Sequence, residues 1–144
     1  MELKKGIKAI NTVIHECLRE KKEAVVAVVD SSGELVTFAR TDHAPLSSIQ
    51  LAINKAYTAA RTKKTTEQLA QELSEKDPKE IRYYDDPKFV SWPGGIPVFG
   101  LNEEFEGAIG ISSGNDNEDI ELAKIVIESI KPLPPKESKL KLYS

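Results

Sequence analysis

Ala24-Val25-Val26-Ala27-Val28-Val29-Asp30-Ser31-Ser32-Gly33-Glu34-Leu35-Val36-Thr37-Phe38-Ala39-Arg40 is the stretch on which the fold turns. Ala24 to Val29 is an unbroken apolar run rich in valine. It predicts a strand covered on both faces and therefore central in its sheet. Asp30-Ser31-Ser32-Gly33 is turn chemistry: the Asp side chain can bond the backbone ahead of it, and Gly tolerates positive φ. Leu35 to Arg40 then predicts a return strand, which makes a hairpin.

Upstream, Leu3, Ile7, Ile10, Ile14, Cys17 and Leu18 recur at helical spacing, predicting an amphipathic helix from Glu2 to Lys21 with this stripe inward. Downstream, Ser47 with Gln50 reads as a capping box after Pro45. The helix it opens carries Ile49, Ala52, Ile53, Ala56 and Ala60 as its buried stripe. Leu51, Lys55, Thr58 and Thr62 on the other side do not form a plainly solvated surface, so a ligand or a second subunit is expected there. Thr65 with Gln68 is a second capping box, opening a short helix through Leu69 and Leu73. Glu75 to Ser91 lacks a period and is broken by Pro78 and Pro87, which predicts a loop with at most one short turn of helix. Ile96–Phe99 and Phe105–Ser112 are the next strands, with Gly107 and Gly110 marking a bulge or a close backbone approach. Ile120, Ala123, Val126, Ile127 and Ile130 make a last helix with acids in its first turn, closed by Lys131-Pro132.

These elements predict one α/β domain of the α+β kind over residues 1–131, followed by a tail over 132–144 that is disordered or docks on a neighbour. The 144-residue chain has one cysteine, so it cannot form an internal disulfide. A net charge of -3 attracts neither nucleic acid nor an anionic membrane. The longest apolar runs are a few residues, against roughly 20 for a bilayer span. A cytoplasmic protein is the expectation. Two histidines and one cysteine exclude a closed zinc site built from Cys and His alone.

Five segments, in order, carry a family resemblance. They are Ala27-Val28-Val29-Asp30-Ser31-Ser32-Gly33-Glu34-Leu35-Val36, Arg40-Thr41-Asp42-His43-Ala44-Pro45, Asn54-Lys55-Ala56-Tyr57-Thr58-Ala59, Pro93-Gly94-Gly95-Ile96-Pro97-Val98, and Gly107-Ala108-Ile109-Gly110-Ile111-Ser112 with Asp119 ahead of Ala123. Together they resemble the GlcG/HbpS family, the haem-degrading or haem-binding family that also includes the PduO C-terminal type. The similarity spans residues 5 to 130. It implies a profilin-like central antiparallel sheet flanked by helices, assembled as a homo-oligomer. It also implies a small-molecule ligand: haem, another tetrapyrrole, or a corrinoid. Family members are associated with glycolate use and with diol metabolism through corrinoid adenosyltransferases, but this chain carries no separate adenosyltransferase domain. An enzyme or accessory protein acting on small organic acids, and an oligomeric scaffold without ligand, are the competing readings. His43 stands where the family commonly has glycine, and Ser113 where a second glycine is usual.

The expected pocket joins Arg40, Asp42, His43, Lys55, Thr58, Gly94 and Gly95. Arg40 suits an anionic group, and His43 suits an acid, a base or a metal ligand. The competing reading is an ordinary strand-to-helix loop with local pairing. Lys55 would meet a ligand carboxylate, a neighbouring acid, or solvent. Pro93-Gly94-Gly95 is either a loop closely approaching a ligand or a structural entry to an edge strand bearing Pro97. If haem binds, His43 is the expected axial ligand, with His15 as the alternative and Tyr57 as the fallback. The acids at the head of the last helix are expected to cap it, and Cys17 to be an inert buried thiol.

Overall fold

The computed structural model describes residues 1–75 and 85–132. The chain runs through α1 (Leu3–Glu20), β1 (Val25–Asp30), β2 (Leu35–Arg40), α2 (Ser47–Thr62), α3 (Thr66–Ser74), β3 (Gly95–Phe99), a 3-10 turn at Leu101–Glu103, β4 (Phe105–Ser112) and α4 (Asp116–Ile130). Part of the loop expected over Glu75–Ser91, and the tail beyond Pro132, lie outside the described residues.

The four strands form one antiparallel sheet in the order β2-β1-β4-β3. β1 is central, as its valine run predicts. Its alternate residues enter two cores. Val26 and Val28 pack with Ile109, Ile111 and Val98 beneath α1 and α4, whereas Val25, Ala27 and Val29 pack beneath α2 with Ala52, Ala56 and Ala59. Asp30 Oδ1 accepts the amides of Ser32 and Glu34 at 2.9 and 3.0 Å, closing the hairpin turn.

Alanine on α2 lets that helix sit close to the sheet. A Cβ on Gly110 would lie 2.0 Å from the Ala52 carbonyl oxygen, so only glycine fits there. Gly107, at φ +150°, brings its backbone to within 2.2 Å of Val29 O for a built Cβ. Both glycines are therefore close-approach positions.

Three expectations change. The inward face of α1 is Gly6, Ala9, Ile10, Val13 and Cys17, while Leu3, Ile7 and Leu18 are 55%, 45% and 75% exposed. Small side chains face the sheet because α1 lies close to it: a Cβ on Gly6 would meet Thr37 Cγ2 at 2.9 Å. The Ser47–Gln50 capping box does not form. α2 begins without a side-chain cap, and Gln50 instead donates to Asn54 Oδ1 at 2.9 Å. On the second side of α2, Lys55 and Thr58 are buried within the chain itself. The Thr65 cap does form, its hydroxyl accepting the Gln68 amide at 3.0 Å. Among the described residues, no helix is long and apolar enough to cross a membrane.

Candidate functional site

The turn after α1 and the loop after β2 meet at one end of the sheet. Lys21 closes α1 in a left-handed conformation, φ 54°, and the Lys22 amide returns to Cys17 O at 2.8 Å. Opposite, the Thr41 hydroxyl accepts the Ala24 amide at 2.9 Å and reaches the Ala24 carbonyl at 3.2 Å, pinning the β2–α2 loop to the start of β1. The His43 amide donates to Glu23 Oε2 at 3.2 Å. The Thr41 hydroxyl, then the His43 amide, hold the Glu23 carboxyl below its usual range.

Between these segments lies a groove of about 300 Å³ lined by Cys17, Leu18, Lys21, Lys22, Glu23, Thr41, Asp42 and His43. Its floor is the Cys17 thiol, pushed up in pKa by burial first and by Glu23 and Glu16 next. Its rim carries an exposed imidazole, two lysines and two carboxylates. This set offers one imidazole nitrogen donor and two lysines for acidic groups. It offers no metal cage: among the described residues, no cluster of three His, Cys, Asp or Glu side chains could hold an ion.

The residues expected to share a pocket do not. Asp42 and His43 line the groove, and Arg40 is exposed at the end of β2 outside its lining. Lys55 is 1% exposed, its ammonium 2.9 Å from Asp119 Oδ2 and 2.9 Å from Ile111 O. It therefore meets a neighbouring acid, not an accessible ligand. Asp119 is drawn into that pair and away from an exposed capping role; its Oδ1 also accepts the Ser113 amide at 2.7 Å. Thr58 donates to Asn54 O at 2.8 Å and accepts the Val90 amide at 3.0 Å, so its hydroxyl is used within the chain.

Gly94 and Gly95 are glycines for packing. Built Cβ atoms would lie 2.3 Å from Ile111 O and 2.4 Å from Lys55 O. The cavity that both line, with Thr65, Glu67, Ile96, Ile120, Ala123 and Lys124, holds only about 60 Å³. That is room for about two waters and not for a macrocycle. Tyr57 is 9% exposed and donates to Asp86 Oδ2 at 2.5 Å, so it does not enter the groove. His15 is exposed on α1 beside an open depression of about 570 Å³, lined by Lys4, Ile7, Lys8, Asn11, Thr12 and Glu16. Lys21, Lys22 and Glu23 were not singled out from sequence, because surface charges after a helix carry no distinguishing pattern.

The architecture is that of α+β proteins with an antiparallel sheet between helical layers. The chain belongs to the HbpS-like family: the model of haem-degrading HbpS-like proteins matches residues 1–128. An uncharacterized 15.0 kDa protein from the dhaT-dhaS intergenic region of Citrobacter freundii is 29% identical over 110 residues, covering 76% of this chain and 77% of the relative. The crystal structure of the Klebsiella pneumoniae protein ORFY superimposes with a TM-score of 0.83 at 24% identity, covering 90% of both chains. A crystal structure of a PduOC–haem complex superimposes with a TM-score of 0.80 at 23% identity, covering 90% of this chain and 94% of that one.

Proposed function

We propose that this protein binds haem, or a related tetrapyrrole or corrinoid, along the groove between α1 and the β2–α2 loop, with His43 as the axial ligand. The observation that carries the reading is the groove itself, where an exposed imidazole stands beside Lys21 and Lys22 above a buried, apolar floor. Imidazole is a common donor to haem iron. Two lysines suit the carboxylates of a tetrapyrrole, and the leucine and cysteine side chains suit its apolar face. Membership of the HbpS-like family, and haem in the related PduOC complex, support the same ligand class. Bound haem would supply the redox chemistry, while the chain supplies the nitrogen donor, the cations and the apolar wall.

Haemin titration of the wild type, His43→Ala and His15→Ala, read at the Soret band, tests this. The expected result is saturable binding that His43→Ala weakens at least tenfold and His15→Ala leaves unchanged. Loss with His15→Ala alone moves the ligand to α1. Weak, non-saturating association of the wild type removes the haem reading.

The same reading includes a homo-oligomer. Leu3, Ile7 and Leu18 make an exposed apolar stripe on α1, and β2 is an edge strand without proline. Light scattering at micromolar concentration is expected to give at least a dimer; a 15.9 kDa species alone contradicts it.

A further inference from the structure

We propose that the free edge of β2 receives β2 of a second copy of this chain, antiparallel, so that two four-stranded sheets become one continuous sheet. The inference rests on the homo-oligomer reading above and assigns its interface. β2 and β3 are the two edges of the sheet. β3 carries Pro97 and has α3 packed against it, and both features blunt an edge. β2 has neither proline nor lysine, and among the described residues no strand pairs with its outer side. The register with β1 passes from Thr37 to Leu35, so Val36 is a bulge and Thr37–Arg40 is the regular stretch. Backbone groups along such an edge are a template for another strand.

Apolar side chains flank this edge in both layers. α1 packs on β1 and β2, and α4 on β4 and β3. Thr12 donates to Ser129 Oγ of α4 at 3.1 Å, which fixes the flank of α1 that faces α4. Leu3, Ile7, Ile14 and Leu18 lie roughly 150° round the helix from Thr12 and so overlook the β2 edge. Three of these four are exposed and Ile14 is only partly buried. In the other layer α2 packs on β4, β1 and β3, and β2 extends beyond it. Phe38, opposite Ala27, and Leu35, opposite Val29, stand on that face. Phe38 is partly buried and Leu35 is 51% exposed. A second copy on this edge covers apolar surface above and below the strand as well as the strand itself.

Charge selects the occupant and its direction. Glu34 and Arg40 stand at opposite ends of the edge, both exposed. Neither makes an ion pair among the described residues. Both lie on the α2 side. Glu34 opposes ionisation of the Tyr57 phenol on α2, and Arg40 is opposite Val25, which packs beneath α2. When two copies of β2 run antiparallel about a two-fold axis, their ends exchange places. Glu34 of each then comes beside the partner's Arg40, and the symmetry makes that pairing twice. Parallel strands would instead set Glu34 beside the partner's Glu34, and the two arginines together. The edge is thus complementary in charge to itself in one direction only.

Sedimentation equilibrium of the full chain, as wild type, Glu34→Arg, Arg40→Glu and the double exchange Glu34→Arg/Arg40→Glu, tests the interface. Each single change sets like charges together twice and is expected to weaken self-association at least about tenfold. The double exchange is expected to restore it. Leu101→Ser, on the β3–β4 hairpin at the other edge, is expected to leave it unchanged. A wild type that is monomeric at micromolar concentration removes the homo-oligomer reading and this interface together. A wild-type oligomer that both single variants leave intact, or whose loss the double exchange does not repair, overturns this interface and leaves the oligomer standing. Hydrogen exchange tests the same contact without any variant. The β2 amides that point away from β1 are expected to be protected in concentrated solution and to lose that protection on dilution to monomer. Exchange at these amides that is the same at both concentrations would overturn the interface.

Discussion

Lys55 on α2 and Asp119 on α4 form an ion pair of 2.9 Å across the sheet's end, with side chains 1% and 2% exposed. The ammonium also bonds Ile111 O, while Asp119 Oδ1 accepts the Ser113 amide and hydroxyl. The pair ties two helices and the end of β4 into one unit. Removing one partner leaves an uncompensated buried charge, which costs about 3–5 kcal/mol. Lys55→Ala and Asp119→Ala are each expected to fall in that range by urea unfolding. Lys55→Met with Asp119→Leu is expected to recover most of the loss, since an apolar replacement of both partners removes the desolvation penalty. A Lys55→Ala loss below about 0.5 kcal/mol would mean that the lysine behaves as an ordinary surface residue.

This pair also marks the boundary of what the sequence discloses. The β1–β2 hairpin was legible because a valine run, an Asp-to-Gly turn and a return strand are all local signals. The Thr65 cap was legible for the same reason. Lys55 and Asp119 lie 64 positions apart, and nothing local says that their charges meet. On α1, the apolar count was right but its direction was not. The stripe through Leu3, Ile7 and Leu18 lies beside the buried face, because Gly6 and Ala9 allow a closer approach to the sheet than leucine does. The groove residues Lys21 and Lys22 follow a helix end, where lysine has a structural reason to occur whatever it binds.

Gly110 has no room for a side chain. Its built Cβ would lie 2.0 Å from Ala52 O and 2.6 Å from Ala56 N, both backbone atoms of α2 that cannot rotate away. Gly110→Ala must push α2 off the sheet and disturb the alanine-lined core. Overpacking of this kind costs about 1–3 kcal/mol. The expected outcome is a clear fall in melting temperature, larger than for Gly114→Ala. Gly114 has a positive φ of 93°, which Gly110 does not, and its nearest neighbour is Pro45 Cγ at 3.9 Å. Equal losses would show that contact with α2 at Gly110 costs no more than the left-handed backbone at Gly114.

Tyr57 and Asp86 give the fold a pH window. The Tyr57 hydrogen bond holds the Asp86 carboxyl below its usual value, with Lys88 and Arg61 adding to the effect. The same bond, and then burial, hold the Tyr57 phenol above its usual value. The Asp86 contribution is present above the unfolded carboxyl pKa and is lost as pH falls through the folded one. The Tyr57 contribution is complete below the unfolded phenol pKa and is lost as pH rises through the folded one. The melting-temperature difference between wild type and Tyr57→Phe is therefore expected to be largest at neutral pH and to shrink at both extremes. A difference independent of pH would show that the ionisation of Asp86 and Tyr57 does not govern what the hydroxyl contributes.

Cys17 is the last test of how the groove is built. Its thiol is 1% exposed, and burial raises its pKa before Glu23 and Glu16 add their repulsion. The reactive species is the thiolate, so both accessibility and charge work against alkylation. Iodoacetamide at pH 8 is expected to modify the native protein at least 100-fold more slowly than the urea-unfolded chain, with a rate that rises as the fold is destabilised. The raised pKa favours the protonated thiol in the fold, so its contribution is complete below the unfolded thiol pKa and is lost as pH rises through the folded one. Cys17→Ser, which puts a hydroxyl at an apolar position without a partner, is expected to cost about 1–3 kcal/mol. If haem occupies the groove, bound haem covers the same wall, and alkylation in its presence slows further. Native-state modification as fast as that of the unfolded chain would show that the groove opens down to the thiol and that its floor is not closed.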